Sequence, residues 1–315
     1  MSAHHHHHHH HVDPDSGDRR VVLAILVNFV LTLAQIVGGL ASGSLALVAD
    51  AVHNFSDAVS LVIAFAARRV ARRPSDASMT FGYGRVEVVA ALINYTSLII
   101  IGLYLVAEAI GRFIEPHGVD GWIVVVLAAI ALVVDVVTAL LTYTLSKESV
   151  NIRAAFLHNV ADALGSVAVI VAGTLILLYD WRLIDPIVTL MIAAYILWQS
   201  FAEIGPVIRI LMNGSPSDVA AADVVARMRS IDGVRDVHHA HLWQMQEHAS
   251  ALDAHVVIEE GAWSRADAIK ANVKALLAEE FGIAHSMIEL ECSRHACREA
   301  QTFGHDPKPE PDHHH

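Results

Sequence analysis

Two short strings nearly repeat each other inside apolar stretches of the chain: His53-Asn54-Phe55-Ser56-Asp57 and His158-Asn159-Val160-Ala161-Asp162. Both read H-N-x-x-D. On an α-helix, residues four apart share a face, with side chains about 6 Å from each other. Each string therefore presents one imidazole and one carboxylate together. Two such faces turned toward one another supply His53, Asp57, His158 and Asp162, a complete tetrahedral set for a divalent metal of the zinc type. The two carboxylates balance the charge of the ion, which matters where the dielectric is low. An unperturbed imidazole titrates near pH ~6.5, so protons and metal compete for the same nitrogens. That competition is a physical basis for exchanging one against the other. A lone histidine in an apolar helix is commonly an interhelical hydrogen bonder; two matching pairs in separate segments ask for more than that.

The elements that must hold these residues are membrane helices. The chain has 315 residues, 54% of them hydrophobic and 17% charged, with a mean hydropathy of +0.46. Soluble domains carry about 25% charged residues. Six apolar runs are long enough to span a bilayer, near 21–40, 44–67, 88–111, 121–145, 153–178 and 183–204. The two H-N-x-x-D strings fall in the second and fifth. Ionisable groups at that depth are costly and mark function.

After residue 212 the character changes: Asn213-Gly214-Ser215-Pro216 breaks the last helix and charges return. Helical periodicity near 217–231 and 264–281 brackets β-like runs at 234–246 and 250–259, and a third run at 286–291 follows. The fold class expected is membrane α-helical: a six-transmembrane-helix bundle over 19–212, then a small cytoplasmic α+β domain, in the order α-β-β-α-β, over 213–292. Residues 1–18 read as a disordered tail, 4–11 being a histidine run of the kind added as an expression tag, and 293–315 as a flexible tail. No cleavable signal peptide is expected, because the first apolar run continues to full span length.

Basic residues collect in alternate loops. Arg19, Arg20, Arg68, Arg69, Arg72, Arg73, Arg85, Lys147 and Arg153 lie on one side, against only Arg112 and Arg182 on the other. The positive-inside rule puts both termini in the cytoplasm, and the compact loops suit a bacterial inner membrane. The net charge of -12 sits largely in the soluble part, and the absence of a basic, aromatic-interleaved patch excludes nucleic acid as a partner. Membrane lipid is the expected surrounding. Cys292 and Cys297 fall in a reducing compartment, so a structural disulfide is not expected.

Other polar residues lie within the spans. Asp50, nearly one turn before His53, is either a hydrogen-bond acceptor that fixes the imidazole or a water-exposed residue at the outer mouth. Asp135 in the fourth span is either a proton relay or half of an ion pair. Gln35 and Asn28 favour interhelical hydrogen bonds. The soluble domain holds His238, His239, His241, His248, His255 and His285. Strand alternation turns His239 and His241 one way and His238 the other, and His255 reaches His238 or His241 depending on register.

The chain resembles the cation diffusion facilitator family, and its zinc-transporting branch most. The resemblance rests on Ser44-Leu45-Ala46-Leu47-Val48-Ala49-Asp50-Ala51-Val52-His53 with Asp57, on Thr80-Phe81-Gly82-Tyr83-Gly84-Arg85-Val86-Glu87, on Asn151-Ile152-Arg153-Ala154-Ala155-Phe156-Leu157-His158 with Asp162, Gly165 and Ser166, and on Val237-His238-His239-Ala240-His241-Leu242-Trp243. It implies a homodimeric metal/proton antiporter with Zn²⁺ as cargo. It also implies a regulatory metal site in the soluble domain, made of His238, His255 and His285 with an acidic residue such as Glu291. The chain departs from the family in two places. Met79 stands where many relatives carry a histidine, and the link at 146–150 is short and has no histidine. Neither a second metal site in the loop after span two nor histidine-loop capture is expected.

The function expected is divalent metal efflux by alternating access, with Zn²⁺ first and Co²⁺, Ni²⁺ or Cd²⁺ as alternatives of the same mechanism. A membrane-anchored metal sensor is a further alternative. It explains less, because a passive anchor needs no buried His and Asp. An enzyme is not expected: no H-E-x-x-H motif appears, and four protein ligands leave no open position for water.

Overall fold

The computed structural model describes residues 29–143, 150–246, 249–294, 296–297 and 301–304. The histidine run at 4–11, the tail histidines 313–315, Arg19, Arg20, Asn28, Lys147, His248 and His295 lie outside the described residues, as does most of the 146–150 link.

Helix α1 covers Phe29–Ser42 within the described residues, and five long apolar helices follow. They are α2 (Leu45–Ala71), α3 (Arg85–Ile114), α4 (Gly121–Tyr143), α5 (Val150–Tyr179) and α6 (Ile184–Leu211). Several run past the expected span ends. Hydropathy locates hydrocarbon, whereas helix hydrogen bonding continues into polar sequence: α2 carries on through Arg68 and Arg69, and α6 through Pro206 to Leu211. Asn213, in a left-handed conformation (φ 57°), ends that run.

The described chain divides into two compact units. One takes the described residues within Met1–Ile63 and Ile93–Ala202, the other those within Ala64–Leu92 and Glu203–His315. In the first, Leu45, Ala49, Leu98, Leu105, Ala109, Ala193 and Ile196 form one buried cluster. Ala46, Leu47, Val124, Ala128, Val169, Ala172 and Val188 form another. Glycine permits close helix approach: a Cβ on Gly121 would stand 2.6 Å from the Gly173 carbonyl oxygen, so α4 and α5 meet almost backbone to backbone. Large apolar side chains such as Ile100, Leu140, Leu164 and Leu178 stand exposed on the outer faces, the pattern of a bundle whose solvent is lipid.

In the second unit α7 (Ala221–Arg229), β1 (Val234–Gln246), β2 (Ala249–Ile258), α8 (Ala266–Phe281) and β3 (His285–Cys292) follow in the expected α-β-β-α-β order. β1 and β2 are antiparallel, β2 and β3 parallel, in the order β1-β2-β3. Both helices pack on one sheet face, where Val224, Val225 and Met228 of α7 and Ile269, Val273 and Leu277 of α8 join Val237, Leu252, Val256 and Ile288. Gly282, at φ 67°, gives α8 its left-handed C-terminal cap. Beyond β3 the chain returns along β1: His239 N–H donates to the Gln301 carbonyl at 3.0 Å and Ala240 N–H to that of Thr302 at 2.9 Å.

Candidate metal centre

Helix α2 carries His53 and Asp57, and α5 carries His158 and Asp162. The cross-pairs show the helices antiparallel here. His158 Nε2 lies 3.0 Å from Asp57 Oδ2, and His53 Nε2 lies 3.5 Å from Asp162 Oδ1. Within each helix, His53 Nε2 is 3.8 Å from Asp57 Oδ2 and His158 Nε2 is 3.5 Å from Asp162 Oδ2. The imidazole centroids are 5.9 Å apart. One ligand atom from each residue falls within 4.8 Å of all the others. Metal–ligand bonds of about 2.0–2.2 Å in a tetrahedron put neighbouring ligands about 3.3–3.6 Å apart, and the four His–Asp distances bracket that spacing.

Hydrogen bonding accounts for only part of the arrangement, the His158 Nε2–Asp57 Oδ2 pair at 3.0 Å. Both ring nitrogens of His53 and Oδ1 of Asp162 are buried without a hydrogen-bond partner among the described residues. Such orphaned groups are rare unless something else satisfies them. The site has a closed half and an open half: the side chains of His53 and Asp162 are 9% and 8% exposed, those of Asp57 and His158 33% each. Tyr195 of α6 meets the His53 ring edge-on at 6.0 Å.

The neighbouring carboxylates have other partners. Asp50 is buried, and its Oδ2 accepts from Gln35 Nε2 at 3.0 Å. It neither faces water nor bonds the His53 ring, because α1 brings a donor closer. Gln35 thereby makes the interhelical bond its sequence context suggested. Asp135 accepts from Ser166 Oγ at 3.0 Å, one turn beyond Asp162 on α5, and pairs with no cation among the described residues.

Sequence reasoning missed Asp185. This α6 residue, 1% exposed, caps the N-terminus of α2 from 140 positions away. Its carboxylate accepts from the Leu45 N–H at 2.8 Å, the Ala46 N–H at 3.3 Å and the Ser44 hydroxyl, and Arg112 Nη1 of α3 lies 3.5 Å off. An Asp beginning a helix after a turn reads as an ordinary local cap, so only the fold reveals its target.

In the second unit the sheet register decides the histidine cluster. His238 stands opposite His255, and His255 opposite Glu289. His255 Nδ1 is 2.6 Å from Glu291 Oε1, and His238 Nε2 is 3.3 Å from Glu291 Oε2. His285 stands apart: it opens β3 opposite Ala251 and packs its ring against Phe81. The expectation grouping it with His238, His255 and Glu291 is corrected, since four residues of strand separate it from the His255 row. In its place come His239 and Cys297, each offering a ligand atom within 4.8 Å of the others and of His238 and His255. His239 joins because the register slips between His238 and His241 and its φ is 49°, a bulge that breaks strand alternation. Partial desolvation and then the Glu291 carboxylate raise the Cys297 thiol above its ordinary range.

The T-F-G-Y-G-R motif serves structure. Asp76 Oδ1 accepts from the amides of Ser78 (2.8 Å) and Met79 (2.9 Å), and its Oδ2 from the Tyr83 hydroxyl at 2.7 Å. Arg85 Nε donates to the Met245 carbonyl at 3.1 Å, and its Nη2 to Asn213 Oδ1.

Two family models match, together spanning nearly all of the chain. The cation efflux transmembrane domain matches residues 21–212 and the cation efflux protein cytoplasmic domain matches 216–292. The chain belongs to the cation efflux, or cation diffusion facilitator, family. Among curated relatives, the zinc transporter ZitB of Pectobacterium atrosepticum is 36% identical over 89% of this chain and 88% of its own length. The cadmium, cobalt and zinc/H(+)-K(+) antiporter of Bacillus subtilis is 32% identical over 92% of this chain and 96% of its own length. CzcD, a metal cation efflux system protein of Cupriavidus metallidurans, is 30% identical over 93% and 92%. A solved structure, the metal-bound C-terminal domain of the CzcD transporter, is 29% identical over 23% of this cation efflux protein and 99% of that domain, with a TM-score of 0.22.

Proposed function

We propose that this protein exports divalent metal, Zn²⁺ first, from the cytoplasm in exchange for protons, loading it at His53, Asp57, His158 and Asp162. The observation that carries the reading is the spacing of four His–Asp pairs at 3.0–3.8 Å with buried, unbonded His53 and Asp162 atoms. Two imidazoles with two carboxylates suit zinc better than manganese, which prefers oxygen. Mixed nitrogen and oxygen ligands also release an ion faster than closed thiolate sites. Protons drawn onto the imidazoles displace the ion.

The open half of the site gives a direction. Asp57 lies later along α2 and His158 earlier along α5, toward the ends that the basic loops assign to the cytoplasm. The arrangement supports an inward-open state, in which hydrated metal meets Asp57 and His158 before the buried pair. Alternating access then needs α2 and α5 to shift against the rest of the bundle. Membership of the family supports a homodimer paired through the cytoplasmic domain, an inner-membrane location with cytoplasmic termini, and a regulatory ion held by His238, His255 and Glu291. A Cd²⁺ or Co²⁺ exporter is the same machine with another cargo, favoured by the name of the Bacillus subtilis relative.

Proteoliposomes decide the matter. Zinc uptake driven by an imposed pH gradient, lost in His53→Ala/His158→Ala, is expected. Zinc flux indifferent to the gradient would make the protein a channel.

A further inference from the structure

Behind the closed half of the metal centre lies a second pair of carboxylates. Asp50 stands three residues before His53 on α2, about 4.5 Å of helix rise, on the side away from the basic loops. Helix α5 runs antiparallel there, and Gly165 and Ser166, three and four residues past Asp162, reach the same level. Each meets one carboxylate. A Cβ on Gly165 would stand 3.3 Å from Asp50 Oδ1, so the bare glycine admits that carboxylate to the face of α5. Ser166, wholly buried, donates to Asp135 Oδ2 of α4 at 3.0 Å. Adjacent residues of α5 thus join carboxylates from α2 and α4 into one layer.

The partners in that layer can reverse their roles. Gln35 of α1, wholly buried, gives its Nε2 to Asp50 Oδ2 at 3.0 Å, while its Oε1 finds no hydrogen-bond partner among the described residues. An amide donates through one end and accepts through the other, and a hydroxyl does both. Gln35 and Ser166 therefore serve an ionised carboxylate as donors and a protonated one as acceptors. Turned over, the Gln35 amide brings its orphaned oxygen to a carboxylic O–H. Asp185 is built the opposite way: the Leu45 N–H, the Ala46 N–H and Arg112 can only donate. The titratable groups that reach Asp50 are His53 on its own helix, Asp162 of α5 and Asp135 of α4; those that reach Asp135 are Asp162 and His158 of α5. None of these is a lysine or arginine. A carboxylate buried without a cationic partner is costly unless it takes a proton.

We propose that Asp50 and Asp135 hold the proton exchanged for metal. A proton arriving from the outer side makes a carboxylic O–H in this layer. When the ion leaves, that proton passes to a bare ring nitrogen of His53, the O–H breaking as the N–H forms. The inference rests on the exchange reading above and names the side chains that carry its proton.

The test measures zinc uptake into proteoliposomes with and without an imposed pH gradient, read as the ratio of the two rates so that the amount of folded protein cancels. Asp135→Asn keeps the shape and removes a proton site, and is expected to cut that ratio about threefold or more; Asp50→Asn should do the same. Ser166→Ala keeps the carboxylate but removes its reversible partner, and should give an intermediate ratio. Calorimetry of the full chain in buffers of different ionisation enthalpy counts the protons released per zinc bound. Asp135→Asn is expected to release about one fewer than the parent. A gradient-driven parent whose ratio survives both Asp135→Asn and Asp50→Asn overturns this inference and leaves the exchange reading standing. A lowered ratio with an unchanged proton count marks a packing role and overturns it as well. A parent rate indifferent to the gradient removes the exchange reading, and this inference with it.

Discussion

The two carboxylates of the proposed transport site should make unequal contributions, and their burial predicts which matters more. Replace each in turn by Asn, which keeps the shape and one amide oxygen but removes the charge. Asp162 is 8% exposed and sits 3.5 Å from both His53 and His158. Neutralising one member of a buried ionic set costs about 3–5 kcal/mol. At about 1.4 kcal/mol per tenfold, that is roughly two to three and a half decades in zinc Kd. Asp57 lies closer to His158, at 3.0 Å, but a third of its side chain is exposed. Water screens that charge, so Asp57→Asn should weaken zinc by only about one to two decades. The assay is isothermal calorimetry on detergent-solubilised protein freed of the 4–11 histidine run and carrying His255→Ala, so that the core site alone is read. Asp57→Asn weakening zinc more than Asp162→Asn would refute the reasoning from burial. Either variant binding within threefold of the parent would refute the ligand assignment itself.

Asp185→Asn should lower the thermal midpoint in detergent, by about 1–3 kcal/mol of lost stability, because α2 loses a charged cap and Arg112 keeps only Glu108 of its two carboxylates; an unmoved midpoint would show the clasp to be incidental. Gly121→Val should cost about 1–3 kcal/mol through overpacking against the Gly173 carbonyl and reduce zinc flux, read by thermal unfolding and vesicle uptake. Asp76 is held below the ordinary carboxylate range, first by the Ser78 and then by the Tyr83 side-chain hydrogen bond. A depressed folded pKa stabilises above the unfolded value and is lost as pH falls through the folded one. The 76–83 turn should therefore keep its amide protection at mildly acidic pH and lose it in Asp76→Asn at any pH, as hydrogen exchange at Ser78 and Met79 would report.

The grouping of His53, Asp57, His158 and Asp162 was legible because its logic is local. Four-residue spacing puts His and Asp on one helix face whatever the tertiary packing, and two copies in apolar runs leave few places to go. The five long helices were legible for the same reason, since hydropathy over twenty residues averages out detail. The cytoplasmic cluster was half legible. His238 and His255 are opposite one another only because of strand register, and a one-residue slip exchanges faces. The bulge at His239 defeated the alternation rule, and His285 was misplaced because parallel pairing of β3 with β2 sets it beside Ala251. Asp50 and Asp185 were out of reach for another reason: their partners, Gln35 and the start of α2, come from other helices, 15 and 140 positions away.

The Asp185 clasp also sets a lever arm. With the first turn of α2 moored to α6 and α3 near Ser44, that end of the helix is a natural fulcrum. His53 lies nine residues along (53 − 44), or about 13 Å at about 1.5 Å per residue. A tilt of about 10° about that point would carry the imidazole about 2 Å, roughly one metal–ligand bond length. Asp57, a further turn out, would travel farther still. A small swing of one anchored rod would be enough to dismantle the proposed cage without unwinding a helix.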